Sequence, residues 1–299
     1  MEFRKGVWLG VGAYLFWGLS PIFWNLVDDI EVTNLLVHRI LWSLPVLAIV
    51  ITLQRRWPEL REALRSGQTI LLSIVTAALI ATNWGVWLWA VTHEQIVEGS
   101  LGYFIGPLVS VLLGVIVLGE RLRRLQWLAV GTAAFGVAGM AVSVGSLPWV
   151  SVTLAFSFAT YGLVKKRPEI PAPLISLSGE LIVVAIPAGI ALAYLQQSEG
   201  PAFTDSVPVA LFLIATGAVT VIPLLLFAGA AKRVPLSTVG VLQYITPSMH
   251  FMLGVWVFGE DLSASRLAWF CVVWLALAVY MYDSITALRP ERSGAELLG

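Results

Sequence analysis

Ten long apolar runs constrain this chain more than any short motif does. A spanning α-helix needs about 20 mainly apolar residues to cross the hydrocarbon core of a bilayer. Runs of that kind lie near residues 7–27, 33–53, 70–92, 99–118, 125–144, 148–164, 174–195, 209–230, 236–258 and 264–285. The 299 residues are 58% hydrophobic and only 12% charged, outside the usual composition of soluble domains. We therefore predict an all-α polytopic membrane protein with ten transmembrane helices.

The basic residues predict the orientation of these helices. Sixteen of the eighteen Lys and Arg residues lie before the first run, after the last run, or in every second gap between runs. They are Arg4, Lys5, Arg55, Arg56, Arg61, Arg65, Arg121, Arg123, Arg124, Lys165, Lys166, Arg167, Lys232, Arg233, Arg289 and Arg292. Because cationic loops are retained in the cytoplasm during insertion, we expect both termini to be cytoplasmic. The stretch 54–69 has the pattern of a short interfacial helix.

Composition and motifs argue against several other classes of protein. The net charge is zero and the cations are dispersed over short loops, which does not favour nucleic-acid binding. The three histidines lie far apart, no phosphate-binding glycine loop occurs, and a single cysteine excludes an internal disulfide. We expect no metal, no cofactor and no enzymatic activity. A membrane-embedded enzyme for a lipid-linked solute and a passive channel stay open as alternatives.

The chain contains an internal repeat with an offset of 140 residues. The segment SLGYFIGPLVSVLLGVIVLGERL (100–122) aligns without a gap with GVLQYITPSMHFMLGVWVFGEDL (240–262), and nine of 23 positions are identical. The identities include Pro107 with Pro247, Gly114 with Gly254, and Glu120 with Glu260. We predict two five-helix repeats, 1–146 and 147–288, followed by a short cytoplasmic tail, 289–299.

The odd number of helices in each repeat predicts an inverted arrangement. After five crossings the second repeat enters the bilayer from the opposite side, so equivalent helices run antiparallel. Inverted repeats suit a carrier that exposes one central site to each side in turn. We therefore predict a secondary transporter that moves a small molecule by alternating access. The direction of transport and the oligomeric state stay open.

Several strings of this sequence resemble the RarD branch of the EamA-type drug/metabolite transporter superfamily. They are VHRILWS (37–43), TNW (82–84), EGSLGYFIGPLVSVLLGVIVLGERLRRLQWLAV (98–130), LAFSFATYGLVKK (154–166) and QYITPS (243–248). The resemblance covers essentially the whole chain. It implies ten helices in two EamA-type repeats, a bacterial inner membrane, and a permease for small metabolites or drugs with a loose link to chloramphenicol sensitivity. It implies no particular substrate.

Ionisable residues inside the runs are the first candidates for a transport site. Arg39, with His38 beside it, lies in the second run, and Glu180 lies in the seventh. Charges within a bilayer normally face partners or a water-filled cavity. We predict that Arg39 and Glu180 pair in the empty carrier and engage the substrate when it binds. A static salt bridge or snorkelling of Arg39 is the alternative. Glu180 is also a candidate proton site, so proton coupling and plain exchange both stay open.

Aromatic and amide residues form the second candidate group. Flat apolar rings with a few hydrogen-bonding tips are typical of a pocket for an aromatic or amphiphilic solute. Packing between helices is the alternative for each of them. The group comprises Tyr14, Trp17, Trp42, Asn83, Trp84, Tyr103, Gln243 and Tyr244.

The fourth and ninth runs carry small residues and prolines at repeat-related positions. Gly102, Gly106, Ser110 and Gly114 are spaced four apart, which lets another helix approach closely, and Gly254 repeats Gly114. His250 takes the place of Ser110, and we favour a buried packing role over a proton relay. Pro107 and Pro247 are candidate hinges, with static kinks as the alternative.

Overall fold

The computed structural model describes residues 2–24, 26, 30–93, 95–144, 149–198, 206–257 and 264–286. Within those ranges it contains twelve α-helices and no strand. They are α1 (Glu2–Trp24), α2 (Val32–Leu53), α3 (Trp57–Ala63), α4 (Gly67–Thr92), α5 (Ile96–Leu118), α6 (Arg124–Val144), α7 (Trp149–Lys165), α8 (Pro173–Ser198), α9 (Val207–Ala231), α10 (Leu236–Gln243), α11 (Ile245–Trp256) and α12 (Ala264–Thr286). The predicted tail 289–299 and Glu260 lie outside the described residues.

Eight of the described helices are long and apolar enough to cross a membrane: α1, α2, α4, α5, α6, α8, α9 and α12. They coincide with eight of the ten predicted runs, which confirms an all-α polytopic membrane protein. The sixth run forms α7, which has 17 residues. The ninth is divided into α10, with 8 residues, and α11, with 12. The count of ten spans therefore stays a prediction.

The two candidate hinge prolines have different local structures. Helix α10 ends at Gln243, and Pro247 lies near the start of α11. Proline has no N–H to bond the carbonyl four residues earlier, and that carbonyl belongs to Gln243. Pro107 instead lies inside α5, which continues unbroken to Leu118. The missing donor at Pro247 coincides with the break between α10 and α11, but the same loss at Pro107 leaves α5 continuous, so proline alone does not explain the break. Movement at either proline stays a prediction.

Cation-bearing loops from both halves of the chain meet at one end of the bundle, which we call the basic end. Lys166 Nζ donates to Val234 O (2.5 Å), and Lys232 Nζ donates to Ile170 O. These bonds join the loop after α7 to the loop after α9. Three further contacts at this end connect the first half to the second: Glu2 with Arg233, Arg123 with Asp283, and Glu120 with the first residues of α10.

Helices that are equivalent in the repeat run in opposite directions relative to the basic end. Helix α1 begins there and α7 ends there; α5 ends there and α10 begins there; α6 begins there and α12 ends there. Leu60 of α3, which follows α2, packs on Leu174 and Ile175 at the start of α8. Helix α2 therefore ends where α8 begins. This arrangement is the inverted one that five helices in each repeat predict.

Small residues set the closest helix contacts. A methyl group added at Gly102 would lie 2.9 Å from Leu154 Cβ of α7, and one at Gly106 would lie 2.9 Å from Gln243 Nε2 of α10. Gly240 of α10 lies against the Pro107 carbonyl and the buried Ser110, and Gly114 lies against Ser237 N. The small residues of α5 therefore face α7 first and α10 further along. Gly254 is also buried.

We expect Gly217→Ala to destabilise the contact between α9 and α2. The added methyl group would overlap the Trp42 carbonyl and lie 2.9 Å from Ser43 N, so backbone would have to move. Overpacking of this kind costs about 1–3 kcal/mol, which should lower the thermal unfolding midpoint in detergent micelles. Gly189→Ala is the control, because nothing lies within 4 Å of that position. Equal midpoints for the two variants would contradict the close contact.

Candidate functional site

Arg39 lies near the start of α2 and contacts three other helices. Its Nε donates to Thr220 Oγ1 of α9 (3.1 Å). Its Cζ is 4.6 Å from the ring centroid of Trp84 on α4 and 5.6 Å from that of Trp24 on α1. The side chain is half-buried. Because α1, α4 and α9 surround the guanidinium, it points into the bundle and away from lipid.

The partners of Arg39 are electrically neutral. Four ion pairs occur among the described residues, and Arg39 is in none of them. The faces of two indole rings stabilise a cation by about 0.5–2 kcal/mol each, more where water is excluded. Nη1 and Nη2 form no hydrogen bond with a residue that the structure describes. The positive charge at this position is therefore held by rings and a hydroxyl, not by a carboxylate.

Glu180 belongs to a different, fully buried cluster on the basic-end side of the bundle. Its Oε1 forms an ion pair with Lys165 Nζ and accepts from Ser176 Oγ (3.0 Å), and its Oε2 accepts from Tyr161 OH (3.0 Å). The side chains of Lys165 and Glu180 are each 1% exposed. Charge and hydrogen bonds thus compensate this carboxylate, as burial of an ion pair requires.

The prediction that Arg39 and Glu180 pair in the empty carrier is wrong for this conformation. Arg39 lies seven residues after the first residue of α2, and Glu180 lies seven residues after the first residue of α8. Since α8 begins where α2 ends, those two starts are at opposite ends of the bundle. At 1.5 Å per residue, each group is about 10 Å from a different end. An inverted repeat therefore separates the two charges in depth.

A cluster of five rings lies on the basic-end side of Arg39. Phe227 follows Thr220 by seven residues along α9, about 10 Å closer to the basic end. Its ring contacts those of Tyr14, Trp17, Phe158 and Tyr161, with centroids 5.0–6.3 Å apart. Tyr161 is also the residue that donates to Glu180. Tyr14 OH is buried without a hydrogen-bond partner among the described residues. Through Tyr161, the ring cluster is therefore joined to the Glu180 cluster.

The other predicted residues of α2, α4 and α5 have mixed surroundings. Tyr103 is half-buried and contacts the Trp87 ring, with centroids 5.2 Å apart. Asn83 Nδ2 donates to Leu154 O and Ser157 Oγ, both at 3.0 Å, and so joins α4 to α7. His38 is buried, and Trp42 lies where α2 crosses Gly217. Asn83 therefore connects two helices, which fits packing between helices, the alternative to a role in the substrate pocket.

The predicted residues of α10 and α11 lie apart from Arg39. Gln243 is buried against Gly106, and Tyr244 OH donates to Phe104 O (3.2 Å). Tyr244 and Pro107 also line an apolar pocket between α5, α6, α10 and α12. A ring nitrogen of His250 contacts Trp17 O (3.2 Å), which fits the packing role that we favour for this histidine.

The sequence analysis did not identify Lys165, Tyr161, Ser176, Thr220 or Trp24 as site residues. Lys165 had been counted as a loop cation, yet it is the last residue of α7 and is buried. Tyr161 with Lys165 and Ser176 with Glu180 are each spaced four apart, so each pair shares one helix face. That spacing on two consecutive helices was the signal that could have identified the cluster.

Glu120 joins the two halves at the basic end. Its carboxylate accepts from Leu236 N (2.5 Å), Ser237 N (2.9 Å) and Ser237 Oγ (2.7 Å). A carboxylate at a helix N-terminus satisfies unpaired amides and interacts favourably with the helix dipole. Burial lowers the pKa of the nearby Lys166, and the charge of Glu120 opposes that shift. The loops after α5, α7 and α9 are thus connected through charged groups.

Sequence comparison agrees with this architecture. The model of the EamA-like transporter family matches residues 4–142. Protein RarD of Streptomyces exfoliatus is 46% identical over 99% of this chain and 94% of its own length. This chain belongs to the RarD branch of the EamA transporters. One solved crystal structure has a TM-score of 0.73 at 18% identity, covering 94% of this chain and 98% of that one.

Other RarD-branch relatives cover this chain to a similar extent. Protein RarD of Escherichia coli (strain K12) is 39% identical over 96% of this chain and 97% of its own length. The uncharacterized transporter YojE of Bacillus subtilis (strain 168) is 42% identical over 98% of each chain. These names point to membrane transport. Among the described residues, no group of three or more His, Cys, Asp or Glu could hold a metal ion.

We expect Lys165→Met to be strongly destabilising, because it leaves the Glu180 carboxylate buried without a cation. Breaking a buried pair on one side typically costs about 3–5 kcal/mol, whereas removing both charges is often close to neutral. The double variant Lys165→Met/Glu180→Gln should therefore recover most of the lost stability in unfolding measurements on micelles. Arg123→Gln is the control, since the Arg123 side chain is 46% exposed and its pair should contribute about 1 kcal/mol or less. A double variant no more stable than Lys165→Met would contradict the ion pair.

Proposed function

We propose that this protein is a secondary transporter of the bacterial inner membrane that moves a small amphiphilic metabolite or drug by alternating access. The basic end faces the cytoplasm in this proposal, so both termini are cytoplasmic. The substrate site lies at Arg39, with Trp24, Trp84 and Thr220 around the guanidinium. Membership of the EamA family supports the general role, and the antiparallel repeat equivalents support the mechanism.

The observation that carries the proposal is the set of contacts that closes the basic end of the bundle. At the basic end, ammonium groups and a carboxylate join loops across the bundle. The ring cluster and the buried Lys165–Glu180 pair lie between that end and Arg39. The conformation is therefore closed toward the cytoplasm. Opening requires these contacts to separate, and the inverted repeats supply the opposite conformation.

Glu180 fits a coupling role better than direct contact with the substrate. Its side chain is 1% exposed in this conformation, and both of its oxygens have donors. Only a rearrangement at the basic end brings water to the carboxylate. Protonation of Glu180 would then free Lys165, which links a proton to the conformational change.

Counterflow in proteoliposomes tests the carrier directly. A screen of metabolites and antibiotics by thermal shift selects a solute that stabilises the purified protein. Vesicles preloaded with unlabelled solute should then transiently accumulate the labelled form. A channel or an enzyme produces no such overshoot, so its absence for every stabilising solute would contradict a carrier and favour those alternatives.

We expect a crosslink across the basic end to stop counterflow. Glu120→Cys/Ser237→Cys in a Cys271→Ser background replaces two side chains that are in direct contact, with Glu120 Oε2 and Ser237 Oγ 2.7 Å apart. A short reducible bifunctional reagent should abolish counterflow, and reduction should restore it, since the two halves can no longer separate at this end. Each single cysteine variant, treated in the same way, is the control. Full transport by the crosslinked protein would rule out opening at the basic end.

We expect a proton gradient to drive uphill movement of the solute in the wild type but not in the double variant Lys165→Met/Glu180→Gln, which leaves no buried charge unpaired. The amide keeps hydrogen bonds with Tyr161 and Ser176 but carries no titrating proton. Counterflow, which needs no gradient, should continue in the variant if exchange remains intact. His250→Gln is the control, because the hydrogen bond that its ring forms within the described residues goes to a backbone carbonyl, that of Trp17. Equal gradient-driven uptake by this double variant and the wild type would remove Glu180 from the coupling.

A further inference from the structure

We infer that the solute bound at Arg39 is an organic anion: a carboxylate that binds the guanidinium, attached to a flat apolar body that packs on the surrounding rings. This inference rests on the proposed function and names the substrate class of the same site. It follows from three features of the Arg39 site: its positive charge, the guanidinium donors without a hydrogen-bond partner among the described residues, and the aromatic side chains nearby.

The first feature is a positive charge without a described counter-ion. An ionised side chain near the bilayer centre costs on the order of 2.5–3.5 kcal/mol on insertion scales. The structure compensates the second intramembrane cation, Lys165, with Glu180, but gives Arg39 only rings and a hydroxyl. A negatively charged solute would supply the missing charge. This contrast between two cations in one bundle distinguishes a binding site from a structural ion pair.

The second feature is the orientation of the guanidinium. Thr220 accepts from Nε, and the rings of Trp84 and Trp24 lie within 4.6 and 5.6 Å of Cζ. Nη1 and Nη2 have no hydrogen-bond partner among the described residues, so their donors can take a new acceptor. A carboxylate matches the planar fork of a guanidinium with two parallel hydrogen bonds. The bonds to Thr220 and the rings hold that fork in place before the solute arrives.

The third feature is the chemistry of the aromatic side chains near the Arg39 site. Trp17 and Phe158 are half-buried members of the ring cluster, with ring centroids 5.8 Å apart. They pack on the same hydrophobic core cluster as Trp84, which contacts Arg39. Such faces bind flat apolar groups. A cationic solute is disfavoured, because it would meet the charge of Arg39. The carboxylate of Glu180 offers it no compensation, since it is buried and already paired.

Three probes with one body and different charges test this inference. Phenylpropionate, phenylpropionamide and phenylpropylamine are titrated against the full-length protein in nanodiscs, with thermal shift and tryptophan fluorescence as readouts. We expect the carboxylate to bind at least about tenfold more tightly than the amide, and the amine not to bind. A tenfold ratio corresponds to about 1.4 kcal/mol, which one charge-assisted hydrogen bond can supply.

Variants assign the preference to Arg39. Arg39→Gln should remove the preference for the carboxylate over the amide, and Arg39→Lys should keep the sign but weaken it, because an ammonium lacks the planar fork. Thr220→Val, which keeps the charge and the side-chain volume, should reduce carboxylate binding several-fold by releasing Nε. Arg65→Gln is the matched control: it removes an exposed cation after α3 and should leave all three affinities unchanged.

Binding of the amide as tightly as the carboxylate, an unchanged preference in Arg39→Gln, or no binding of any probe would overturn the inference. If a neutral solute still shows counterflow in the same preparation, the proposal that the protein is a carrier stands. Failure of the anion site can thus be distinguished from failure of the proposed function. Conversely, carboxylate binding that depends on Arg39, without counterflow of that carboxylate, would support the anion site and contradict the carrier.

Discussion

The opposite direction of equivalent helices determines where the interior charges Arg39 and Glu180 lie. Because α2 ends where α8 begins, residues at equal distances from the two helix starts lie near opposite ends of the bundle. Arg39 and Glu180 are such residues, so they occupy separate sites near opposite ends of the bundle. One repeat therefore contributes a cation toward one end, and the other contributes an anion toward the opposite end. The two charges do not neutralise each other, so each must be compensated by nearby groups.

The groups around Arg39 differ from the groups around Glu180, and this difference determines what the Arg39 site can bind. Glu180 has an ammonium and two hydroxyls around its carboxylate and is closed off from water. Arg39 has only neutral partners and stays half-exposed inside the bundle. A charge that is held in place but not neutralised is suited to binding an opposite charge reversibly. The compensated pair is suited to a conformational role, because separating it requires protonation or a new partner.

The sequence predicted the helices well but the contacts of their polar residues poorly. Runs of apolar residues are set by bilayer thickness, so eight of them reappear as long apolar helices. The odd number of runs in each half predicted an antiparallel arrangement, and the helix directions at the basic end agree with it. The repeat boundaries 1–146 and 147–288 stay a prediction. The predicted pairing of Arg39 with Glu180 was wrong. The sequence offset shows that α2 and α8 are equivalent helices, but equivalent helices in an inverted repeat run in opposite directions, so equivalent residues lie at different depths in the bundle. Lys165 was missed because a cation at a helix end is indistinguishable in sequence from one in a loop until the neighbouring helix is placed.

The central claim is that one site at Arg39 is accessible from each side of the membrane in turn. Access from the cytoplasmic side requires the basic end to open. Its most direct test is the accessibility of a single reporter, Trp84→Cys in a Cys271→Ser background, to a membrane-impermeant thiol reagent. Right-side-out and inside-out vesicles should both be labelled. After the basic end is crosslinked through Glu120→Cys/Ser237→Cys, labelling should persist from the outside and disappear from the inside. Labelling from the inside that survives the crosslink would contradict the account.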